Sequence, residues 1–175
     1  EREGPRETDL IVMHNFSLPA GVFGLGYVQA LFKGELLETE IAGFESLRGL
    51  KVSSHFFIDR EGKIWQFVST KKRAWHAGQS QFQGQSRCND FSIGIEMEGS
   101  DFVAFDEKQY LSLEKLLTAL VQAEPGLRFI TGHSDIAPDR KTDPGPYFDW
   151  ERVLSVAPLS KQLQYSAIQT FKSKK

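Results

Sequence analysis

Residues 132–146, reading G-H-S-D-I-A-P-D-R-K-T-D-P-G-P, crowd ionisable side chains into a stretch too polar for a core and too rigid for a linker. Pro138, Pro144 and Pro146 remove backbone freedom, so the side chains between them can be held at fixed positions. His133 and Asp143 offer a nitrogen and an oxygen ligand, and His14 offers a second nitrogen. Two histidines and one carboxylate, with a fourth position left for water, make a catalytic zinc arrangement. The three positions are distant in the chain, so spacing also allows the plainer reading of hydrogen-bonded histidines at the edge of a core.

Glu96 adds a candidate base. In Ser-Ile-Gly-Ile-Glu-Met-Glu-Gly, from Ser92 to Gly99, alternate residues must face opposite ways along a strand. A strand covered on both faces would bury Glu96, which is costly unless its carboxylate is paired or used. A strand with one wet face would leave Glu96 and Glu98 in solvent. Cys88 permits a rival chemistry, a thiol hydrolase with a distant histidine. It precedes a strand and not a helix N-terminus that would lower its pKa, so a structural thiol is expected.

The elements that must position these groups are legible from pattern. Residues 10–13, Leu-Ile-Val-Met, read as a buried strand ending at His14-Asn15. A weak helical pattern follows over 27–32. Residues 52–58 and 63–68 flank the turn Asp59-Arg60-Glu61-Gly62, which predicts a hairpin. Residues 69–90 predict a long surface loop, and 91–97 alternate as a strand with one buried face. The clearest helix spans 106–123, with Asp106 as N-cap, Gln109 three residues on, and a stripe of Leu113, Leu116, Leu117, Leu120 and Val121. Pro125-Gly126 stops it. Residues 128–131 form a short strand leading into Gly132-His133, and Asp149 caps a last helix through 156. Strands interleaved with few helices predict an α/β (α+β) domain, a central mixed β-sheet flanked by α-helices.

Composition fits that picture. A chain of 175 residues, 40% hydrophobic and 25% charged, is the size of one domain with a real core. The net charge of −2 gives no electrostatic reason for a nucleic-acid or anionic-membrane partner. The basic end, Lys172-Ser173-Lys174-Lys175, reads as solubilising. A single cysteine excludes an intramolecular disulfide framework and fits a reducing compartment. The most apolar stretch, 22–32, is too short to span a bilayer. Residues 1–8 lack a signal-peptide shape, although no initiator Met precedes Glu1.

Four segments together resemble the AmpD amidases, the cytoplasmic 1,6-anhydro-N-acetylmuramyl-L-alanine amidases of Gram-negative bacteria. They are H-N-F-S-L-P-A-G-V-F-G, K-R-A-W-H-A-G, R-C-N-D-F-S-I-G-I-E-M-E-G and G-H-S-D-I-A-P-D-R-K-T-D-P-G-P-Y-F-D-W, in order from about 10 to 150. The resemblance implies a zinc amidase with the mixed sheet shared by phage amidases and peptidoglycan recognition proteins. It implies Zn²⁺ held by His14, His133 and Asp143, with Glu96 and Lys141 as catalytic residues. It implies substrate contacts at Asn15, Lys51 and Arg87, the last near the acidic stem peptide. Lys51 stands where such proteins often carry Arg, which removes a bidentate grip. His55 and His76 lie in matching motifs without an assigned role. The expected layout is a lead-in over 1–9, the amidase domain over 10–158, and a tail of unassigned role over 159–175. The expected partner is a 1,6-anhydromuropeptide, met by a cytoplasmic monomer with no nucleic-acid or membrane partner. A periplasmic murein-layer amidase is disfavoured because no signal sequence is visible. A non-catalytic peptidoglycan-binding module would commonly lack one of the three ligands.

Overall fold

A computed structural model describes residues 1–37, 45–47, 49–156 and 159–166. Its centre is the strand β1, Leu10–Phe16, with β6, Ser92–Glu98, parallel on one side and β7, Phe129–Gly132, parallel on the other. Next to β6 lies β2, Phe56–Ile58, also parallel, and antiparallel to β2 runs β3, Ile64–Gln66. The far edge is β8, Gln164–Tyr165, parallel to β7. The six strands stand in the order β3-β2-β6-β1-β7-β8, so the sheet is mixed, as expected. A separate hairpin joins β4, Gln81–Phe82, to β5, Gln85–Ser86. The segment 69–90 therefore carries a little structure of its own, ending in a 3-10 turn at Cys88–Asp90.

Parallel strands need crossovers, and crossovers cover both faces of a sheet. One face is roofed by the helix α2, Glu107–Ala123. Its Leu113, Leu117 and Leu120 pack on Ile11, Met13, Ile93, Ile95 and Met97, all buried. Each such side chain contributes about 1.5–3 kcal/mol when withdrawn from water. The start of α2 is fastened to the sheet it covers. Gln109 is fully buried, donates to the carbonyls of Ile58 and Glu98, and accepts from the Asp106 N–H at 3.0 Å in a capping box. The other face carries Leu10, Val12, His14, Ser92, Gly94 and Glu96, the even positions of β1 and β6, in register Leu10 to Ser92, Val12 to Gly94 and His14 to Glu96.

All seven residues of β6 are buried. The expectation of a single buried face is thus corrected: β6 is interior, and its polar side faces more protein instead of water. The expected strands at 52–58 and 63–68 contract to three residues each. Among the described residues four short helices complete the fold: α1, Tyr27–Lys33; α3, His133–Ile136; α4, Trp150–Ser155, capped by Asp149; and α5, Leu159–Gln162. Packed structure continues past 158. Leu159 and Leu163 are buried in the main core, and β8 extends the sheet. The lysine-rich end lies outside the described residues. Among those described, no helix is long and apolar enough to cross a membrane.

The turn between β2 and β3 shows how tightly the roof is fitted. Gly62 has φ +79°, and a Cβ there would lie 2.6 Å from the Lys108 carbonyl oxygen of α2. Gly62→Ala should therefore cost about 1–3 kcal/mol through strain and displacement of the helix. A urea titration should show a lowered midpoint.

Candidate active site

His14 is carried by the central strand, and His133 opens α3 directly after the neighbouring strand β7. Both are buried. Asp143 arrives from the proline-rich loop and is fixed from both sides. Its carbonyl accepts from the Ser134 N–H at 2.9 Å, and the next carbonyl, that of Pro144, accepts from Asn15 Nδ2 at 3.0 Å.

The three side chains converge on one point. His14 Nδ1 lies 3.0 Å from His133 Nδ1 and 2.9 Å from Asp143 Oδ2, and His133 Nδ1 lies 3.1 Å from the same oxygen. A tetrahedral ion with bonds of about 2.0–2.1 Å sets its ligand atoms about 3.3 Å apart. The donor triangle fits that shape to within a few tenths of an ångström. His133 points its other nitrogen, Nε2, at the Ala77 carbonyl 3.1 Å away. A carbonyl only accepts, so Nε2 holds the hydrogen and Nδ1 presents a lone pair to the cluster.

Burial pushes the His14 imidazole down to about 4, against the pull of Asp143. Burial also works to raise Asp143, but the close approach of the His133 and His14 rings overcomes it and holds the carboxyl below its usual range. A neutral imidazole and an ionised carboxylate are the forms a metal takes.

Glu96 sits beside His14 in the register, its Oε1 3.9 Å from His14 Nδ1. Burial, reinforced by Asp143 and opposed by Lys141, raises its carboxyl well above the usual range. Its Oε2 is buried without a hydrogen-bond partner among the described residues. A buried oxygen left bare in this way is costly unless it serves chemistry.

A cleft of about 290 Å³ opens over these groups, lined by His14, Glu96, His133, Lys141 and Asp143, with Phe32, Val52 and Trp75 as part of an apolar wall. A second lobe of more mixed character runs past Ser100, Asp101, Arg140 and Thr142, and the lobes share Asn15, Phe16, Lys141 and Asp143. Asn15 spends both amide hydrogens, on Pro144 and on Asp101 at 2.8 Å, and among the described residues nothing donates to its oxygen. Thr142 also donates to Asp101.

Six of the eight expected site residues therefore meet. Lys51 and Arg87 do not line the cleft. Lys51 is exposed between Leu50 and Val52, which take the cleft wall themselves. The Arg87 guanidinium is taken up by Glu3 at 2.6 Å and Asp90 at 3.0 Å. Cys88 is fully buried, and burial pushes its thiol up to about 11, which disqualifies it as a nucleophile. His55 is structural: its Nδ1 accepts from the Gly94 N–H, and its Nε2 faces the Lys72 carbonyl at 2.9 Å.

Sequence reasoning missed the supports. Asn89 accepts from the N–H groups of His76 and Ala77, which fixes the carbonyl that orients His133. Arg140 donates to that carbonyl at 2.9 Å. His76 touches His14, Nδ1 to Nε2 at 2.9 Å. Burial, then the neighbouring imidazoles, hold His76 well below its ordinary pKa.

The profile of the N-acetylmuramoyl-L-alanine amidase family (Amidase_2) matches residues 4–146. The chain is 52% identical over 144 residues to the 1,6-anhydro-N-acetylmuramyl-L-alanine amidase AmpD of Escherichia coli K12, covering 82% of this chain and 79% of that one. A crystal structure of a selenomethionine AmpD derivative superposes with a TM-score of 0.81 at 45% identity, covering 91% of this chain and 86% of the other. The amidase AmiD of E. coli, solved with anhydro-N-acetylmuramic acid-L-Ala-D-γ-Glu-L-Lys, superposes at 0.58 with 28% identity, covering 85% of this chain and 56% of that one. With the family profile over most of its length and such identity to an AmpD relative, the chain belongs to the N-acetylmuramoyl-L-alanine amidases, in the AmpD group.

Proposed function

We propose that this amidase cleaves the bond between the lactyl group of 1,6-anhydro-N-acetylmuramic acid and the L-alanine of the stem peptide, in cytoplasmic peptidoglycan recycling. The observation that carries the reading is the convergence of His14, His133 and Asp143 beside an unpartnered, buried carboxylate oxygen of Glu96. The names of its relatives supply the substrate class. The cleft suits a substrate with two unlike halves, because a strongly apolar lobe and a more mixed one meet at Lys141 and Asp143.

Zn²⁺ fits the donor set, and when bound there it would lower the pKa of a water in its open position to about 7 and polarise a substrate carbonyl. Glu96 takes a proton from the attacking water as the new C–O bond forms at the amide carbon. It returns that proton to the alanine nitrogen as the C–N bond breaks. The products are a muramic carboxylate and a stem peptide with a free amino end. Its raised pKa suits both halves of this exchange, because the carboxyl can hold the proton between the two steps. Lys141, at the junction of the two lobes, faces the negative charge that develops on the former carbonyl oxygen. Asn15 offers its amide oxygen to a substrate N–H.

Anhydro-N-acetylmuramyl tripeptide incubated with the protein should yield free tripeptide by mass spectrometry, and complete zinc removal should abolish it. Release that survives full chelation would sink the metal reading. Glu96→Gln should keep a full complement of zinc by atomic absorption yet lose on the order of 10²–10⁴ in turnover; undiminished turnover would remove Glu96 from the mechanism. Lys141→Ala should lose about 3–4 kcal/mol of transition-state stabilisation, seen in kcat and not in zinc content.

A further inference from the structure

His76 stands between His14 and β6 in a slot that exists because Gly94 has no side chain. A Cβ on Gly94 would lie 2.4 Å from the His76 ring. In that slot the ring touches His14 Nε2 through Nδ1 at 2.9 Å and Ser92 Oγ through Nε2 at 3.3 Å. Ser92 is fully buried two residues before Gly94, on the same face of the strand. Its hydroxyl also lies 2.6 Å from the Cys88 carbonyl oxygen.

The positions of the hydrogens follow from that last contact. Two oxygens 2.6 Å apart must share a hydrogen, and a carbonyl has none to give. The Ser92 hydrogen is therefore spent on Cys88, and Ser92 turns a lone pair toward His76. The Ser92–His76 contact then needs its hydrogen on His76 Nε2. A neutral imidazole has only one, which leaves His76 Nδ1 bare. Neutrality is what the surroundings enforce. The rings of His14 and His55 flank His76 at 5.1 and 5.7 Å between centroids, and no carboxylate bonds to it among the described residues. With Nδ1 bare, the contact to His14 needs its hydrogen on His14 Nε2. His14 Nδ1 is then left as a lone pair aimed at His133 Nδ1 and Asp143 Oδ2.

We infer that Ser92 and His76 form a directional hydrogen-bond relay, anchored on the Cys88 carbonyl, that fixes His14 in the tautomer able to bind metal through Nδ1. They are positioning residues, and the inference rests on the reading of His14 as a zinc ligand. The arrangement mirrors the Ala77 carbonyl behind His133. The difference is that His14 receives its instruction through two side chains.

Long-range ¹H–¹⁵N spectra of the histidine rings test this directly in the unmutated protein. The metal-free and zinc-loaded protein should both show His76 protonated at Nε2 only, and the loaded protein should show His14 protonated at Nε2. A hydrogen on His76 Nδ1 would overturn the relay. Ser92→Ala removes the acceptor and should weaken zinc binding on the order of 10–100-fold, measured by competition with a chromophoric chelator. Ser92→Thr, which keeps the hydroxyl, should recover most of that loss. Folded Ser92→Ala protein with unchanged zinc affinity and an unchanged His76 pattern would also overturn the proposal. If the unmutated protein bound no zinc, the functional reading would fail, while the His76 tautomer in the metal-free spectra would still decide the relay.

Discussion

Two imidazole nitrogens and a carboxylate oxygen face one another at 2.9–3.1 Å in a poorly solvated pocket. With both Nε2 atoms protonated outward, no hydrogen lies among them, and three lone pairs at such distances repel. The groups that touch the ligands from behind are a carbonyl behind His133, itself held by Arg140, an imidazole behind His14, and backbone and amide N–H groups behind Asp143. The scaffold therefore holds three lone pairs against one another, and a cation placed among them is their natural partner. The rest of the fold can be understood as what prevents the three donors from drifting apart. One ligand rides on β1, the second opens the helix directly after the adjacent parallel strand β7, and the third is stitched to that helix.

Glu96 and Glu98 show how far environment decides the use of a side chain. They lie two residues apart on one face of one strand, and both are buried. Glu98 accepts from the Gly24 N–H with one oxygen and the Arg60 N–H with the other, at 2.7 and 3.0 Å. It thereby ties two loops to the sheet, and its lone pairs are occupied by structure. Glu96 leaves one oxygen bare beside the ligands. The same residue type in the same pattern gives a fastener in one case and a base in the other.

That contrast marks the limit of what sequence made legible. The helix α2 was readable because its signals are local: a cap, a box partner, a stripe and a Pro-Gly stop. The metal ligands were suggested by the density of ionisable and rigid residues in one segment and by His14 at a strand end, and the family resemblance turned that open reading into the expected one. Ser92 and Asn89 were missed because a serine and an asparagine acquire meaning only through partners brought together across the fold. Lys51 and Arg87 lie away from the cleft lining for the converse reason. Arg87 has cation chemistry suited to an acidic peptide, yet carboxylates at 3 and 90 claim it first. The segment 159–165 was passed over because two leucines and a two-residue strand carry too little pattern to announce a packed edge.

The alternation in β6 carries a more general consequence. Alternating apolar and polar residues normally indicate one face on the core and one in water, as in antiparallel sheets. An interior parallel strand has no wet face, because its crossovers cover both sides. Here Ile93, Ile95 and Met97 supply the apolar burial against α2, which relieves the opposite face of that duty. That face is then free to carry Ser92, Gly94 and Glu96: a hydroxyl that aims a ring, a gap that admits the ring, and a carboxylate that works beside it. On a strand of this kind, period-two polarity reports a dry polar interior, which is where pKa values shift and tautomers can be fixed.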